Sequence, residues 1–206
     1  MIRIAIVGGI GSGKSHIAKL FNYPIFNADL QVAKIYETNR QCFKNLKKKL
    51  PKYFSSFPIQ KEEIIKAISD NEKNLKKITN IIHPEIRREM NIFLKFNKKK
   101  SVVILDIPLL LENRLNQKGD IIIFIQSKKT EVTKRLKKRN NLNLDLLNKF
   151  KKIQLSLSYK KKKSHFIIKN NFNNKSAKIR VKKIIKNDFT NKSAKTTVRK
   201  TLKEIL

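Results

Sequence analysis

The chain has 206 residues, 40% hydrophobic and 31% charged, with 49 Lys and Arg against 15 Asp and Glu, a formal net charge of +34. The apolar share excludes a disordered chain, and five Gly and five Pro exclude a collagen-like or linker composition; one cysteine, Cys42, excludes a disulfide framework or a Cys-based zinc site. No apolar run approaches the ~20 residues needed to span a bilayer, and the apolar start runs into glycines rather than a small-residue cleavage site, so a soluble cytoplasmic protein is expected.

Residues 2–7 (IRIAIV) predict a short buried strand, because the run is β-branched and bounded by glycine. A glycine loop follows over 8–15, and a helix starts at His16. A second strand is expected over 24–27. From 30 to about 96 the pattern is helical and polar, broken near Pro51 and Pro58, with Leu75, Ile78, Ile81, Ile82 and Ile86 at helical spacing. Residues 101–106 (SVVILD) and 120–125 (DIIIFI) predict two further strands. A basic helix is expected over 130–138, then a long polar helix to about 163, a short strand over 166–168 and an amphipathic helix over 176–186. Continuous β-branched strands alternating with helices indicate an α/β fold with a parallel sheet covered on both faces. The long stretch 30–98 is expected to form a helical lobe at the sheet's C-terminal edge, where such folds bind ligands. The tail 187–206 reads as a loosely docked helix or as disordered.

Nine of the 49 basic residues are Arg. The Lys residues are spread along the whole chain, which is the pattern of a solvated surface or of A/T-rich codon bias. The charge also suits anionic partners, but no clustered Arg or interleaved aromatic platform accompanies it. Nucleic acid is therefore expected only as a non-specific electrostatic partner.

Gly8-Gly9-Ile10-Gly11-Ser12-Gly13-Lys14-Ser15 fits G-x-x-x-x-G-K-[ST] between a predicted strand and a predicted helix. In such a loop, backbone N–H groups cradle phosphates, Lys14 reaches the β/γ-phosphates and the Ser15 hydroxyl binds Mg²⁺. Nucleotide binding follows, through Gly11, Ser12, Gly13, Lys14 and Ser15; the reaction does not, because ATPases, GTPases and kinases share this loop. Asp29 follows the second strand, where a carboxylate can take the proton of an attacking hydroxyl or simply cap a helix. Asp106 closes a strand and can hold Mg²⁺ or cap a turn.

Taken together, GGIGSGKS, NAD (27–29), HP (83–84), DIPLLLE (106–112), RLKKR (135–139) and IIKNN (167–171) resemble the dephospho-coenzyme A kinase family over roughly residues 1–185. The resemblance implies a P-loop NTPase three-layer fold: one kinase domain over 1–186, with a helical acceptor-side lobe over about 30–98 and a lid over about 135–163. It implies transfer of the ATP γ-phosphoryl group to the ribose 3′-hydroxyl of dephospho-CoA, with ATP, Mg²⁺ and dephospho-CoA as the bound molecules and a monomer as the working unit. Asp29 matches the family's catalytic base. Arg135 and Arg139 match lid arginines that neutralise the transferred group, although either can also be a plain surface charge. His83 and Arg87 are expected near the acceptor, His83 with an equal structural reading. Pro108 and Leu109 are expected to shape its pocket, where leucines can equally be core, and Glu112 to orient groups nearby. His16 is expected at the α-phosphate and Asn170 at the base.

Six positions depart from the family pattern. Asn27 replaces an Asp, His16 a Thr, Lys149 an Arg, Ser164-His165 an Ala-Asp pair, and Phe172 a Gly. Two other readings remain at this point: another small-metabolite or nucleotide kinase on the same scaffold, and a basic nucleic-acid-binding protein that keeps a P-loop.

Overall fold

A computed structural model describes residues 1–138 and 144–186, the side chain of residue 146 aside. The elements in chain order are β1 (Ile2–Gly8), α1 (Lys14–Leu20), β2 (Ile25–Asn27), α2 (Ala28–Thr38), α3 (Arg40–Lys49), α4 (Lys61–Asp70), α5 (Glu72–Phe96), β3 (Val102–Asp106), β4 (Ile121–Gln126), α6 (Lys129–Lys137), α7 (Leu144–Lys152), α8 (Leu157–Lys162), β5 (Phe166–Lys169) and α9 (Asn174–Ile184). The strands form one sheet of order β2-β3-β1-β4-β5. β1 pairs in parallel with β3 and β4, and β4 in parallel with β5.

The described residues divide into two compact units: 1–25, 100–138 and 155–186, and 26–99 and 144–154. In the first, Ile4, Ala5, Ile6 and Val7 are all buried, so β1 is covered on both faces, as its uninterrupted apolar run predicts. Ile4 and Ile6 join Ile17, Phe21, Ile104, Ile123, Ile168 and Val181 in one core that α1 and α9 close. β1 is central, with β3 on one side and β4 on the other, so the chain leaving its C-terminal end enters the crevice at a topological switch point. That is where the glycine loop begins. Arg3 and Asp120 form an ion pair at 2.9 Å at the opposite end of the sheet.

The second unit is built on α5. Ile78, Ile82, Ile86 and Met90 recur every four residues on one buried face, the spacing that aligns side chains along a helix. α2, α3 and α4 pack on α5, and Phe26 meets Phe93 with ring centroids 5.6 Å apart. Asparagine side chains cap three of these helices: Asn27 accepts from Leu30 N–H, Asn39 from Cys42 N–H and Asn71 from Lys73 N–H.

One expectation changes. The single polar helix to about 163 is two helices, α7 and α8, because the Ser156 hydroxyl accepts from Tyr159 N–H and starts a new helix. Of the segment 135–163, for which a lid is expected, α6 and α8 belong to the first unit and α7 to the second. α7 is tied to its own unit by Lys149, whose ammonium donates to the Ile68 and Ser69 carbonyls at the C-terminal end of α4, at 3.0 Å each. The tail 187–206 and Arg139 lie outside the described residues.

Candidate active site

The loop between β1 and α1 is held by backbone geometry. Gly13 N-caps α1 in the left-handed region, with φ of 88°, and a Cβ there would run into the Asn170 amide. Gly11 has φ of 77°, and its Cβ would lie 3.1 Å from Leu136 and Val132 of α6. Both positions therefore favour glycine for conformation, and Gly13 needs it for space as well. Lys14 folds over the loop, its ammonium 2.9 Å from the Gly9 carbonyl and 3.3 Å from that of Gly8. Ser15 and His16 follow on α1, both exposed.

Ser12 is the pivot of the loop. Its carbonyl accepts from the Ser127 hydroxyl at 3.0 Å and from the Asn170 amide at 2.9 Å, and its N–H donates to the Gly9 carbonyl. Its own hydroxyl is buried and has no partner among the described residues. A buried hydroxyl without a partner is costly unless something else supplies a bond, and a phosphate oxygen is such a group. Asn170, for which a place at the base is expected, braces the loop with its buried amide, while its Oδ1 accepts from Phe172 N–H at 3.0 Å. Composition could not reveal this, because Asn170 is 158 residues from its partner. Ser127 was missed too. Its position just past the C-terminal end of β4, where residues face the crevice, was the available signal.

Phe172 occupies a backbone conformation that explains a glycine there, with φ of 61°. Its ring lies under the Arg135 guanidinium, 4.5 Å from the centroid. Arg135 is thus exposed on α6 yet oriented beside the loop's own neighbour. At the end of β3, Asp106 is 2% exposed. Pro108 and Leu109 behind it are half-buried, and Leu110 is core. Glu112, expected to orient groups near the acceptor, forms a buried ion pair with Lys160 at 2.7 Å. The reason is burial: a carboxylate shielded from water needs a charged partner.

In the second unit, Asp29 is exposed in the first turn of α2. The capping role that competed for it belongs to Asn27, whose side-chain oxygen accepts from Leu30 N–H at 2.9 Å. Asn caps as well as Asp does, which gives the departure at 27 a structural use. His83, Pro84 and Arg87 line a groove of about 690 Å³ on α5, with Thr79, Asn91 and Lys95. The helix runs on through Pro84, so His-Pro is not a break; proline's missing N–H leaves the Asn80 carbonyl without its helical donor on the groove side. Burial, and then the Arg87 charge, hold His83 below the usual histidine range, which favours its neutral form at pH 7. Arg88 bridges Glu85 and Glu89; Arg87 has no carboxylate in salt-bridge range among the described residues.

A glycine loop carrying Lys14 and Ser15, set at the switch point of a parallel sheet, defines the P-loop kinase class. The family model for dephospho-CoA kinase matches residues 2–176, and the chain belongs to that family. A dephospho-CoA kinase of Wolbachia sp. subsp. Brugia malayi is 31% identical over 186 residues, covering 88% of this chain and 95% of the relative. One from Prochlorococcus marinus is 30% identical over 192 residues, covering 88% and 90%. Among solved structures, TT1252 from Thermus thermophilus superposes with a TM-score of 0.77 at 23% identity, covering 92% of this chain and 98% of that one. Dephospho-CoA kinase from Campylobacter jejuni gives 0.61 at 23%, covering 89% and 95%. At that identity the two structures carry the fold.

Proposed function

We propose that this protein transfers the γ-phosphoryl group of ATP to the ribose 3′-hydroxyl of dephospho-CoA, giving coenzyme A and ADP. The observation that carries the reading is the braced loop around Ser12, with its glycine-favouring positions and unpartnered buried hydroxyl, in a chain of this family. Gly11, Ser12 and Gly13 present backbone N–H groups to the phosphates, Lys14 leaves its loop carbonyls for the β/γ oxygens, and His16 donates to the α-phosphate.

The metal reading rests on oxygen donors: the Ser15 hydroxyl at the start of α1 and the Asp106 carboxylate at the end of β3. No group of three His, Cys, Asp or Glu side chains suited to a metal occurs among the described residues, which fits Mg²⁺, since it keeps waters and phosphate oxygens as most of its ligands. When bound, Mg²⁺ offsets charge on the β/γ-phosphates. Arg135, with Arg139, offsets charge on the transferred group.

Asp29 accepts the proton of the attacking hydroxyl. Arg87 meets acceptor phosphates and neutral His83 donates or accepts a hydrogen bond beside it, while Pro108 and Leu109 contribute apolar wall. The domain reading follows: the unit with the loop handles ATP, and the helical unit handles the acceptor. Both halves of the machinery are in one chain, which supports a monomer. No helix among the described residues is long and apolar enough to cross a membrane, which is compatible with a cytoplasmic enzyme. The diffuse +34 charge supports only salt-sensitive, sequence-independent attraction to nucleic acid.

The test is a coupled ADP-release assay with and without dephospho-CoA, beside Asp29→Asn and Lys14→Ala. ADP formation should depend on dephospho-CoA. Turnover indifferent to it, with other nucleosides or metabolites serving instead, would assign a different kinase activity.

A further inference from the structure

Among the described residues most ion pairs are surface contacts; in Lys52–Asp70, Lys134–Glu131 and Lys152–Glu72 the lysines are largely exposed. Such pairs add little. Lys160–Glu112 is different. The side chains are 2% and 9% exposed and the Nζ–Oε1 distance is 2.7 Å. Lys160 belongs to the run 160–163, whose other members are exposed. A buried charge of this kind is costly to retain unless geometry and further hydrogen bonds compensate.

The further bonds are present, and they connect two particular places. Glu112 lies on a turn six residues beyond Asp106, anchored by buried Leu110 and by bonds from Asn113 N–H to the Leu109 carbonyl and Leu115 N–H to the Leu110 carbonyl. The same Glu112 Oε1 that meets Lys160 also accepts from Leu155 N–H at 3.0 Å. One carboxylate oxygen therefore holds both ends of the segment 155–160. Ser164 adds a bond from its hydroxyl to the Lys160 carbonyl at 2.7 Å. Between the two held points sits Leu157, whose Cδ2 would lie 3.4 Å from a Cβ built on Gly9 of the phosphate loop.

We infer that Glu112 and Lys160 are a positioning pair that seats α8 on the phosphate loop and so sets the loop's readiness for a triphosphate. The pair acts through α8 and not on a bound molecule. It registers the turn after Asp106 against α8, and α8 carries Leu157 onto Gly9, covering one side of the loop backbone. Releasing either charge frees α8, uncovers Gly9 and loosens the loop. The link to triphosphate rests on the nucleotide reading given above; the link from the pair to the loop does not.

Hydrogen exchange on the full chain without nucleotide tests the second link. In Lys160→Met and in Glu112→Gln, amides of 155–163 and of 9–13 should exchange about tenfold faster, with β4 amides unchanged, and Lys160→Arg should restore protection. If Lys160→Met does not fold, Glu112→Gln gives the same readout. Loop amides that exchange as in the wild type would overturn the inference. So would β4 amides that accelerate equally, since the pair would then be a general stabiliser. In the kinetic arm, KM for ATP should rise by about tenfold with KM for dephospho-CoA unchanged. Equal changes in both constants would count against the pair. Calorimetry of the wild type with Mg-ATP stands apart: no binding there defeats the nucleotide reading, while the exchange arm still decides the pair.

Discussion

The two units of this chain are specified in different ways. In the loop-bearing unit, position matters atom by atom. Gly13 cannot accept a Cβ, the Ser12 carbonyl is held from two sides, and β1 is buried on both faces. In the helical unit, a four-residue stripe on α5 meets three helices that asparagines cap, and the groove face carries exposed basic and polar groups. Gripping a phosphate with backbone amides needs unusual dihedrals and close approach, so few residues satisfy it. On the reading proposed above, the helical unit faces a large, flexible acceptor, and that task needs charge and hydrogen-bonding groups on a stable helix, which many sequences supply.

Substitutions should separate the two units, and the largest effects belong to chemistry shared by every turnover. Asp29→Asn should lower kcat by roughly 10²–10⁴ while calorimetry shows ATP binding retained. Normal turnover would remove the base assignment. Lys14→Ala should cost roughly 10²–10³ in kcat/KM for ATP, with acceptor binding intact. Arg87→Ala is the mirror case: KM for dephospho-CoA should rise roughly ten- to a hundredfold, the worth of one charge-assisted bond, with KM for ATP unchanged. A rise in both constants would dissolve the distinction between the units.

The smaller effects are on stability. His165 accepts from Ile122 N–H through Nδ1 at 3.0 Å, so its neutral form is the one bound. Burial holds it below the usual histidine range, as it does His83. The unfolded chain takes up these protons near pH ~6.5 and the folded chain does so only at lower pH. Their contribution is complete above about 6.5 and is lost as pH falls below it. Thermal melting against pH should show this onset, and His165→Gln should weaken it, because the amide oxygen can still accept from Ile122. An unchanged profile would mean that His165 is silent. Asn27→Ala should cost about 1 kcal/mol in denaturant unfolding, and Asn27→Asp almost nothing. A large loss in Asn27→Asp would mean that Asn27 does more than cap.

The departures from the family pattern show how far sequence reading extends. Asn27 became a cap, Lys149 a brace for α4, Ser164 a bond to Lys160, His165 an acceptor in the sheet's edge, and Phe172 a left-handed residue under Arg135. The cap at Asn27 and the Ser164–Lys160 bond are local, three and four residues apart; the roles of Lys149, His165 and Phe172 were not legible, because each depends on a distant partner that the fold delivers. Glu112 is the clearest case: DIPLLLE located it near the crevice, but its carboxylate turns to Lys160, which looked like one of four solvated lysines.

By itself, the order of residues determined the five strands, the phosphate loop, the long apolar stripe of α5 and the family, since periodicity, glycine placement and short motifs are local properties of the chain. Tertiary structure alone decided which asparagine braces the loop, which lysine beside Glu112 is buried and which unit each of α6, α7 and α8 joins. Those choices turn on desolvation and on hydrogen bonds between residues tens to more than a hundred positions apart, and neither is written in local order.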